Sequence, residues 1–509
     1  MNTSPTSDRV LVVGAGPVGL VAACELARRG VDVRVVDRLA APTTESRALL
    51  VHARSLEMLN LMGVADRLLE TGVRTRRMTM YADGRELVGV DFDRVRSPYP
   101  FSLTTAQTET ERVLGERLRE LGVDVERGVE LTALDQDSES VRATLRHPDG
   151  SVESAAVGWV VGADGGHSAV RGLVGTRLEG SFVGERFMLG DVEASHDLDP
   201  ASMYTYFAPQ GPLLAFPMRG SRLRLICQLR NGTHAPSIEG LQSIVDERAG
   251  GIALQSAHWL TEFEIHHAQV PEYRHGRVFL MGDAAHVHSP AGGQGMNTGM
   301  QDAHNLAWKL AVAIRAGGGD GLLDSYHAER HPVAAQVIKM TTQMTTVGTL
   351  DGAVARRLRN TAMHAAAGLA PVRHLLVDQV EETALSYRHS PVVDDRGPRH
   401  APVRAGDHAP YVVAASARDR LRAVQAGTTG HVVLSFQGPD HDAVAVRLTD
   451  GSTPLPAAFD DVLMDTGHEL AAGYGMTHGG TAVIRPDGYL GFRGGPAADV
   501  AGYFARLTS

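Results

Sequence analysis

Apolar positions at the start of the chain come in short, sharply bounded runs. Val10–Val13 is apolar throughout and runs into glycine, as a parallel strand buried on both faces does. Val18–Arg29 then puts Leu20, Cys24 and Ala27 on one side of a helix that Gly30 stops. Val31–Val36 makes a second strand ending at Asp37, which completes a βαβ unit of about 30 residues. The same spacing predicts helices over Arg54–Met62 and Thr108–Leu121, and a buried strand at Val157–Val161. From Phe182 to Tyr273 the texture becomes that of antiparallel strands: Met203–Phe207, Leu213–Met218 and Leu223–Leu229, with a turn at Arg219–Ser221 around Gly220. Val278–Met281 reads as a buried strand, Asn297–Ala316 as a helix, and Thr342–Glu382 as helical. Prolines, glycines and charges over Arg388–His408 read as a linker or wrapping loop, and Tyr411–Ser509 as a small separate α/β domain.

Composition narrows the classes. The 509 residues suit about two or three domains, and 43% hydrophobic with 21% charged residues is a globular balance. A formal charge of −10 speaks against a nucleic-acid or anionic-membrane partner. Cys24 and Cys227 are the only cysteines, so a structural disulfide or zinc cluster is not expected and a cytoplasmic location fits. The polar start MNTSPTSDR carries no visible signal peptide, and no apolar run reaches the roughly 18–20 residues of a membrane span.

Three motifs carry the chemistry. In GAGPVG, Gly14 allows a sharp turn, Gly16 lets backbone approach a pyrophosphate and Gly19 lets helix pack on strand, with Pro17 and Val18 completing the turn. The anion would sit at the helix N-terminus. Asp37, followed by Arg38, stands where an acid bonds ribose hydroxyls and would repel a 2′-phosphate. This motif alone leaves FAD and NAD tied. In LMGDAAH, an apolar strand delivers Asp283, after Gly282, to the mouth of the sheet, where a carboxylate can accept from the ribityl hydroxyls that only a flavin nucleotide has; the competing reading is a helix cap without ligand. Pro290 stiffens the following loop, while Gly292, Gly293 and Gly295 admit a flat ring. Backbone N–H groups around Gly295, Met296 and Asn297 can face the negative pyrimidine end of reduced flavin. In GADGGHSAVR, Asp164 ends a strand and either serves the nucleotide or only forms the turn, with Ser168 as a helix cap.

These motifs, with SRALLVHARSLEML and TTAQTETERVL, resemble the class A flavoprotein monooxygenases typified by para-hydroxybenzoate hydroxylase, over nearly all of Val10–Pro332. RAGDHAPYV and AVIRPDGYLGFR resemble the thioredoxin-like extension of larger members, and the overall likeness is strongest to actinomycete aromatic polyketide hydroxylases. The resemblance implies FAD with NADPH or NADH as co-substrate, oxygen addition at flavin C4a, and hydroxylation of a phenolic or polycyclic aromatic substrate by O2. It implies an α/β fold: a Rossmann-type FAD-binding domain (1–75, 106–180 and 276–398), a mixed β-sheet substrate domain (76–105 and 181–275) and a thioredoxin-like domain (399–509). It places Arg47 beside the moving flavin, with Pro290 the other catalytic candidate, and Gln107 against the nucleotide half of FAD. Without a cysteine, that last domain cannot exchange electrons and is assigned to packing or homo-oligomer formation.

Flavin oxygen chemistry requires a dry, shaped enclosure. Tyr204, Tyr206, Phe207, Phe216 and Arg219 are candidates to line it, against ordinary sheet packing. His286 and His288 read as structural, and no metal is expected. Baeyer–Villiger insertion, epoxidation or antibiotic inactivation are same-fold alternatives. A non-enzymatic FAD- or NAD-binding regulator is the alternative from another class.

Overall fold

The apolar runs at the N-terminus need cover on both faces, and the fold provides it. The computed structural model describes residues 8–508 apart from 230–235, 351, 368, 370–376, 412–414, 440 and 453–457. Six strands lie side by side in the order Arg274–His275, Val278–Leu280, Trp159–Gly162, Val10–Val13, Val33–Asp37 and Val125–Arg127. All neighbours run parallel except the first pair. The helix Pro17–Ala27 starts at Pro17 with Gly16 as its N-cap, so the expected helix shifts by one or two residues. A Cβ on Gly19 would collide with the Gly14 carbonyl, and one on Gly299 would come within 2.7 Å of Val18. The helices Pro17–Ala27 and Gln294–Ala316 therefore approach closely over the sheet. Val157 belongs to the antiparallel strand Val152–Val157 instead of the buried strand, which begins at Trp159.

The second layer is an eight-stranded sheet. Its order is His286–Val287, Ile252–Gln269, Glu179–His196, Arg222–Leu229, Gly211–Pro217, Ser202–Ala208, Arg77–Ala82 and Arg85–Asp91. The last two strands come from early in the chain and join by a parallel pairing of Arg77–Ala82 with Ser202–Ala208. Period-two alternation gives the sheet two faces. One face, with Phe187, Leu189, Met203, Phe216 and Ile226, shares a core with Leu49 and Leu50 of the nucleotide-side chain. The other, with Tyr204, Leu213 and Cys227, is covered by the helix Ile238–Arg248.

In the C-terminal third, Arg388–His408 takes the wrapping-loop reading and not the linker one: Arg388 pairs with Asp407 at 2.7 Å, Arg404 with Asp395 at 2.8 Å, and Asp394–Arg396 forms a strand beside Leu490–Gly494. Opposite charges that look solvated in sequence neutralise one another across the loop. Nor is the following unit separate in its packing. Its six-stranded sheet contributes Val433, Val483 and Phe492 to one core with Trp308, Val312 and Leu322 of the long helices. Those helices are Gln294–Ala316 and Asp320–Gly348; the end of the second, with Ala353–Ala367, takes up much of the Thr342–Glu382 stretch read as helical, of which 351, 368 and 370–376 lie outside the described residues, as do residues 1–7. Among the described residues no helix is long and apolar enough to cross a membrane, and both cysteines are buried and free.

Candidate active site

Where the first strand ends, Gly14 takes φ +103, and a Cβ there would strike the backbone of Ala163. Gly16, by contrast, has nothing within 4 Å of where a Cβ would lie. That open space sits before the unpaired first-turn N–H groups of the helix Pro17–Ala27, with Val18 in its first turn. Asp37 closes the turn from the second strand: its carboxylate accepts from the Ala15 N–H at 2.7 Å and the Leu39 N–H at 2.8 Å. Arg127 Nη1 stands 3.4 Å from Oδ2, and Oδ1 keeps a lone pair for a further donor. Arg38 beside it is exposed.

In the second motif, Asp164 accepts from Ser168 Oγ at 2.5 Å and from the Ala169 N–H at 2.7 Å, and Ser168 Oγ caps the Arg171 N–H at 2.9 Å. Asp164 thus forms the turn and helix start that its motif predicts, and its Oδ1 keeps a lone pair for a further donor. The short helix Ala169–Leu173 aims Arg171 at the third motif, where its guanidinium donates to the Ala284 carbonyl at 3.1 Å while also donating to the Gly166 carbonyl of its own motif at 2.6 Å. The motif fastens the Asp283 turn.

Asp283 itself has no side-chain hydrogen bond among the described residues. Its residue is exposed, yet burial within the surrounding protein pushes its pKa up, against weaker opposing pulls from His286, Arg47 and Arg171. Its neighbour Gly282 holds φ +56 and donates its N–H to Asp302 at 3.1 Å. Asp302 also binds His286 Nε2 at 2.8 Å and Arg330 Nε at 2.7 Å, so His286 is a structural group. His288 is held neutral, its pKa lowered to about 4 by burial and the nearby His286. Among the described residues no three His, Cys, Asp or Glu side chains gather as metal ligands.

The loop after Pro290 leads into the helix Gln294–Ala316, which starts three residues earlier than the periodicity predicts. Gly293, at φ +67, is its N-cap, and a Cβ there would press within 2.9 Å of Leu50. Gly295 and Met296 thereby fall in a first turn whose N–H groups lack helical partners. The Asn297 side chain is not free for a ligand. It donates to the Leu50 carbonyl at 2.9 Å and the Gly293 carbonyl at 2.8 Å, and accepts from the His52 N–H at 2.9 Å.

Arg47 is three-quarters exposed and pairs with Glu45 at 3.1 Å. Gln107 Oε1 accepts from the Ala48 N–H at 3.0 Å, so Gln107 ties down the Arg47 segment from below. A buried pair missing from the sequence reading does so from above. Arg224 meets Asp191 through its Nη2 at 2.7 Å and donates to the Ala48 carbonyl at 2.9 Å. The signal was faint: two opposite charges in strands read as apolar, brought into register only by pairing of Glu179–His196 with Arg222–Leu229.

The five enclosure candidates separate by face. Phe216 is buried in the cluster that meets Leu49 and Leu50. Tyr204 and Tyr206 point to the opposite face, where they stack with Tyr81 at ring separations of 6.4 and 5.3 Å. They cannot line a site between sheet and nucleotide fold, because alternation sends them outward while Met203 goes in. Phe207 shares the Met203 parity but sits under the Arg359 guanidinium, 4.5 Å from its ring centre. Arg219 is exposed at the hairpin tip beside Gly220.

With this geometry in place, likeness to known proteins becomes informative. The profile of a family described as FAD binding domain matches residues 8–341. The 6-methylpretetramide 4-monooxygenase of Streptomyces rimosus is 38% identical over 516 residues, covering 96% of this chain and 92% of that protein. Pentachlorophenol 4-monooxygenase of Sphingobium chlorophenolicum is 39% identical over 351 residues, or 66% of this chain and 64% of its own length. Among solved structures, the anhydrotetracycline hydroxylase OxyS from Streptomyces rimosus superposes with a TM-score of 0.72 at 28% identity, with 97% of each chain covered.

Proposed function

The chain belongs to the FAD binding domain family and is a flavin-dependent monooxygenase, and on that premise we propose that it hydroxylates a polycyclic phenol of the aromatic polyketide kind, with NADPH or NADH as electron donor. The observation that carries the cofactor assignment is Asp283, an exposed carboxylate with no side-chain hydrogen bond among the described residues, just past a strand of the same sheet whose central strand leads into Gly14–Gly19. Bound FAD supplies the electron transfer and oxygen chemistry. This chain's residues then have four tasks. The turn Gly14–Gly19 receives the pyrophosphate, Asp37 offers a lone pair to the ribose, and Asp283 accepts from the ribityl chain. The first-turn N–H groups at Gly295 and Met296 face the pyrimidine end of the ring and favour its negative, reduced form. Gln107 and Arg224 hold the segment that bears Arg47, an exposed cation near Asp283. The inner sheet face, with Phe187, Phe216 and Ile226, excludes water and presents an apolar wall to a planar substrate. The site of action is cytoplasmic, on a diffusible aromatic molecule. The C-terminal sheet, which we read as a redox-silent thioredoxin-like unit, supports the flavin domain instead of reacting.

The deciding experiment is the visible spectrum of the purified protein, followed by NADPH and NADH oxidation with and without polycyclic phenols. A yellow protein whose oxidation accelerates with substrate, giving a product heavier by one oxygen atom from labelled O2, is expected. A colourless protein that FAD cannot reconstitute would end this reading. The two sheet faces give a sharper test of the substrate wall. Phe216→Ala should raise KM for the aromatic substrate and divert NADPH electrons to hydrogen peroxide, because it opens the enclosure. Tyr206→Ala should leave both unchanged while lowering stability. Equal kinetic effects of the two would show that the inner face does not hold the substrate.

A further inference from the structure

Behind the Pro290–Gly293 loop lies a buried chain of polar groups with no part in the assignments above. His52 precedes the helix Ala53–Leu61, Ser102 begins the strand Ser102–Thr104, and Glu381 follows the long helices; all three are fully buried. His52 Nε2 lies 2.8 Å from the Gly292 carbonyl, His52 Nδ1 2.9 Å from Ser102 Oγ, and Ser102 Oγ 2.5 Å from Glu381 Oε1. Glu381 Oε2 accepts from the Ala53 N–H at 2.7 Å.

Proton counting constrains this chain. A carbonyl only accepts, so Nε2 carries a proton. The Gln294 amide nitrogen, 3.5 Å from Nε2, donates to the Gly292 and Val380 carbonyls and offers Nε2 no better partner. The serine has one proton for two contacts. If it points to Glu381, then Nδ1 must be protonated, making an imidazolium facing a carboxylate. If it points to Nδ1, the Glu381 carboxyl must be protonated. Either way the trio holds three protons, one more than neutral imidazole, hydroxyl and carboxylate together. With only two, one contact would set lone pair against lone pair in a dry site.

We propose that His52, Ser102 and Glu381 form a buried proton relay whose third proton keeps the His52 ring seated, so that its Nε2–H holds the flavin loop at the Gly292 carbonyl and His52 is a positioning residue for FAD. The proposal rests on the flavin reading of that loop. The groups facing His52 agree with it. Burial disfavours its charge, but Glu381 and the second buried carboxyl, Glu382, outweigh that and raise its pKa. Glu382 turns the other way, at φ +57, to Thr298 at 3.1 Å and to Gln301, and Arg330 pulls on it from the far side. A group whose pKa is raised on folding contributes fully below its unfolded value and is lost as pH rises through the folded one. Loop locking should therefore fail on the alkaline side.

The test compares wild type with Glu381→Gln and His52→Phe. A glutamine can accept from Ala53, donate to Ser102 and leave the serine proton for Nδ1, so every contact is filled with a neutral imidazole and no third proton. FAD affinity of wild type should fall with rising pH, approaching about tenfold per pH unit beyond the transition. Glu381→Gln should bind FAD at neutral pH and lack that transition, while His52→Phe should bind weakly at every pH. Thermal midpoints of the FAD-free proteins, measured over the same pH range, should show wild type losing stability relative to Glu381→Gln. An alkaline transition retained in Glu381→Gln, or a wild-type profile parallel to it in both measurements, would overturn the relay. Failure of all three proteins to bind FAD would instead overturn the flavin reading, leaving the midpoints to decide the relay.

Discussion

Glu329→Ala is expected to destabilise the protein by at least about 3–5 kcal/mol, because it strands buried cations. Glu329 sits between two parts of the chain. It meets Lys309 Nζ at 2.7 Å, Arg485 Nη1 and Nη2 at 2.7 and 2.8 Å, Asn305 at 2.7 Å and Ser390 at 2.6 Å. Asp487, beside Arg485, binds the Trp308 indole N–H at 3.1 Å. Burial opposes the Glu329 charge, yet Arg485 and Lys309 hold its carboxyl well below the usual range, while burial draws the Lys309 ammonium down to about 8. The stabilising contribution of Glu329 is thus complete above an unfolded carboxyl pKa of about 4.3 and is lost as pH falls below it. Denaturant unfolding of Glu329→Ala against the double variant Glu329→Met/Arg485→Met checks the cause. Removing both charges should recover part of the loss, since the Arg485 cation is no longer left beside a vacated carboxylate site, while Lys309 and Asp487 keep their opposite charges. Equal instability of single and double variants would assign the effect to packing.

The same cluster decides what cutting the chain near Pro398 should do. A separable support module would leave a folded, yellow truncation. Removing Arg485 and the strands that bury Trp308 and Val312 instead exposes apolar surface and takes from Glu329 its bidentate Arg485 partner, leaving it only Lys309 as a counter-charge. Truncation is accordingly expected to give insoluble protein, whereas Arg485→Met in the full chain should fold, with lower stability and an unchanged flavin spectrum.

Asp283→Ala should weaken FAD binding about tenfold to a hundredfold, since loss of a hydrogen bond to a charged acceptor costs about 1.5–3 kcal/mol. Asp283→Asn, which keeps an acceptor without the charge, should lose less. Because burial raises the Asp283 pKa, wild-type affinity should decline on acidification sooner than for an ordinary carboxylate. A side-chain amide does not titrate in this range, so Asp283→Asn should show no decline from this source. FAD titration across pH 5–8 of the three proteins reads both effects. Unaltered affinity in Asp283→Ala would place the ribityl chain elsewhere.

The βαβ unit, its glycine turn and the strand that delivers Asp283 were all legible in residue order. Their causes are local: apolar period, absent Cβ atoms and a helix start within about 30 residues. The change to antiparallel texture after Phe182 was legible for the same reason. Alternation along Met203–Phe207 revealed two faces, but which one meets the nucleotide fold depends on what the sheet packs against, and so Tyr204 and Tyr206 fell on the wrong side. Charged positions were hardest to read. Asp191 and Arg224 lie 33 residues apart, Ser102 and Glu381 279, and Glu329 and Arg485 156. A charge in sequence looks solvated until a distant partner is found, because burial is favourable only for the pair together. Local order therefore fixed the nucleotide fold and the place of Asp283, while long-range pairing decided which sheet face meets Leu49 and Leu50, the buried contacts of His52 behind the Pro290–Gly293 loop and the union with the C-terminal sheet.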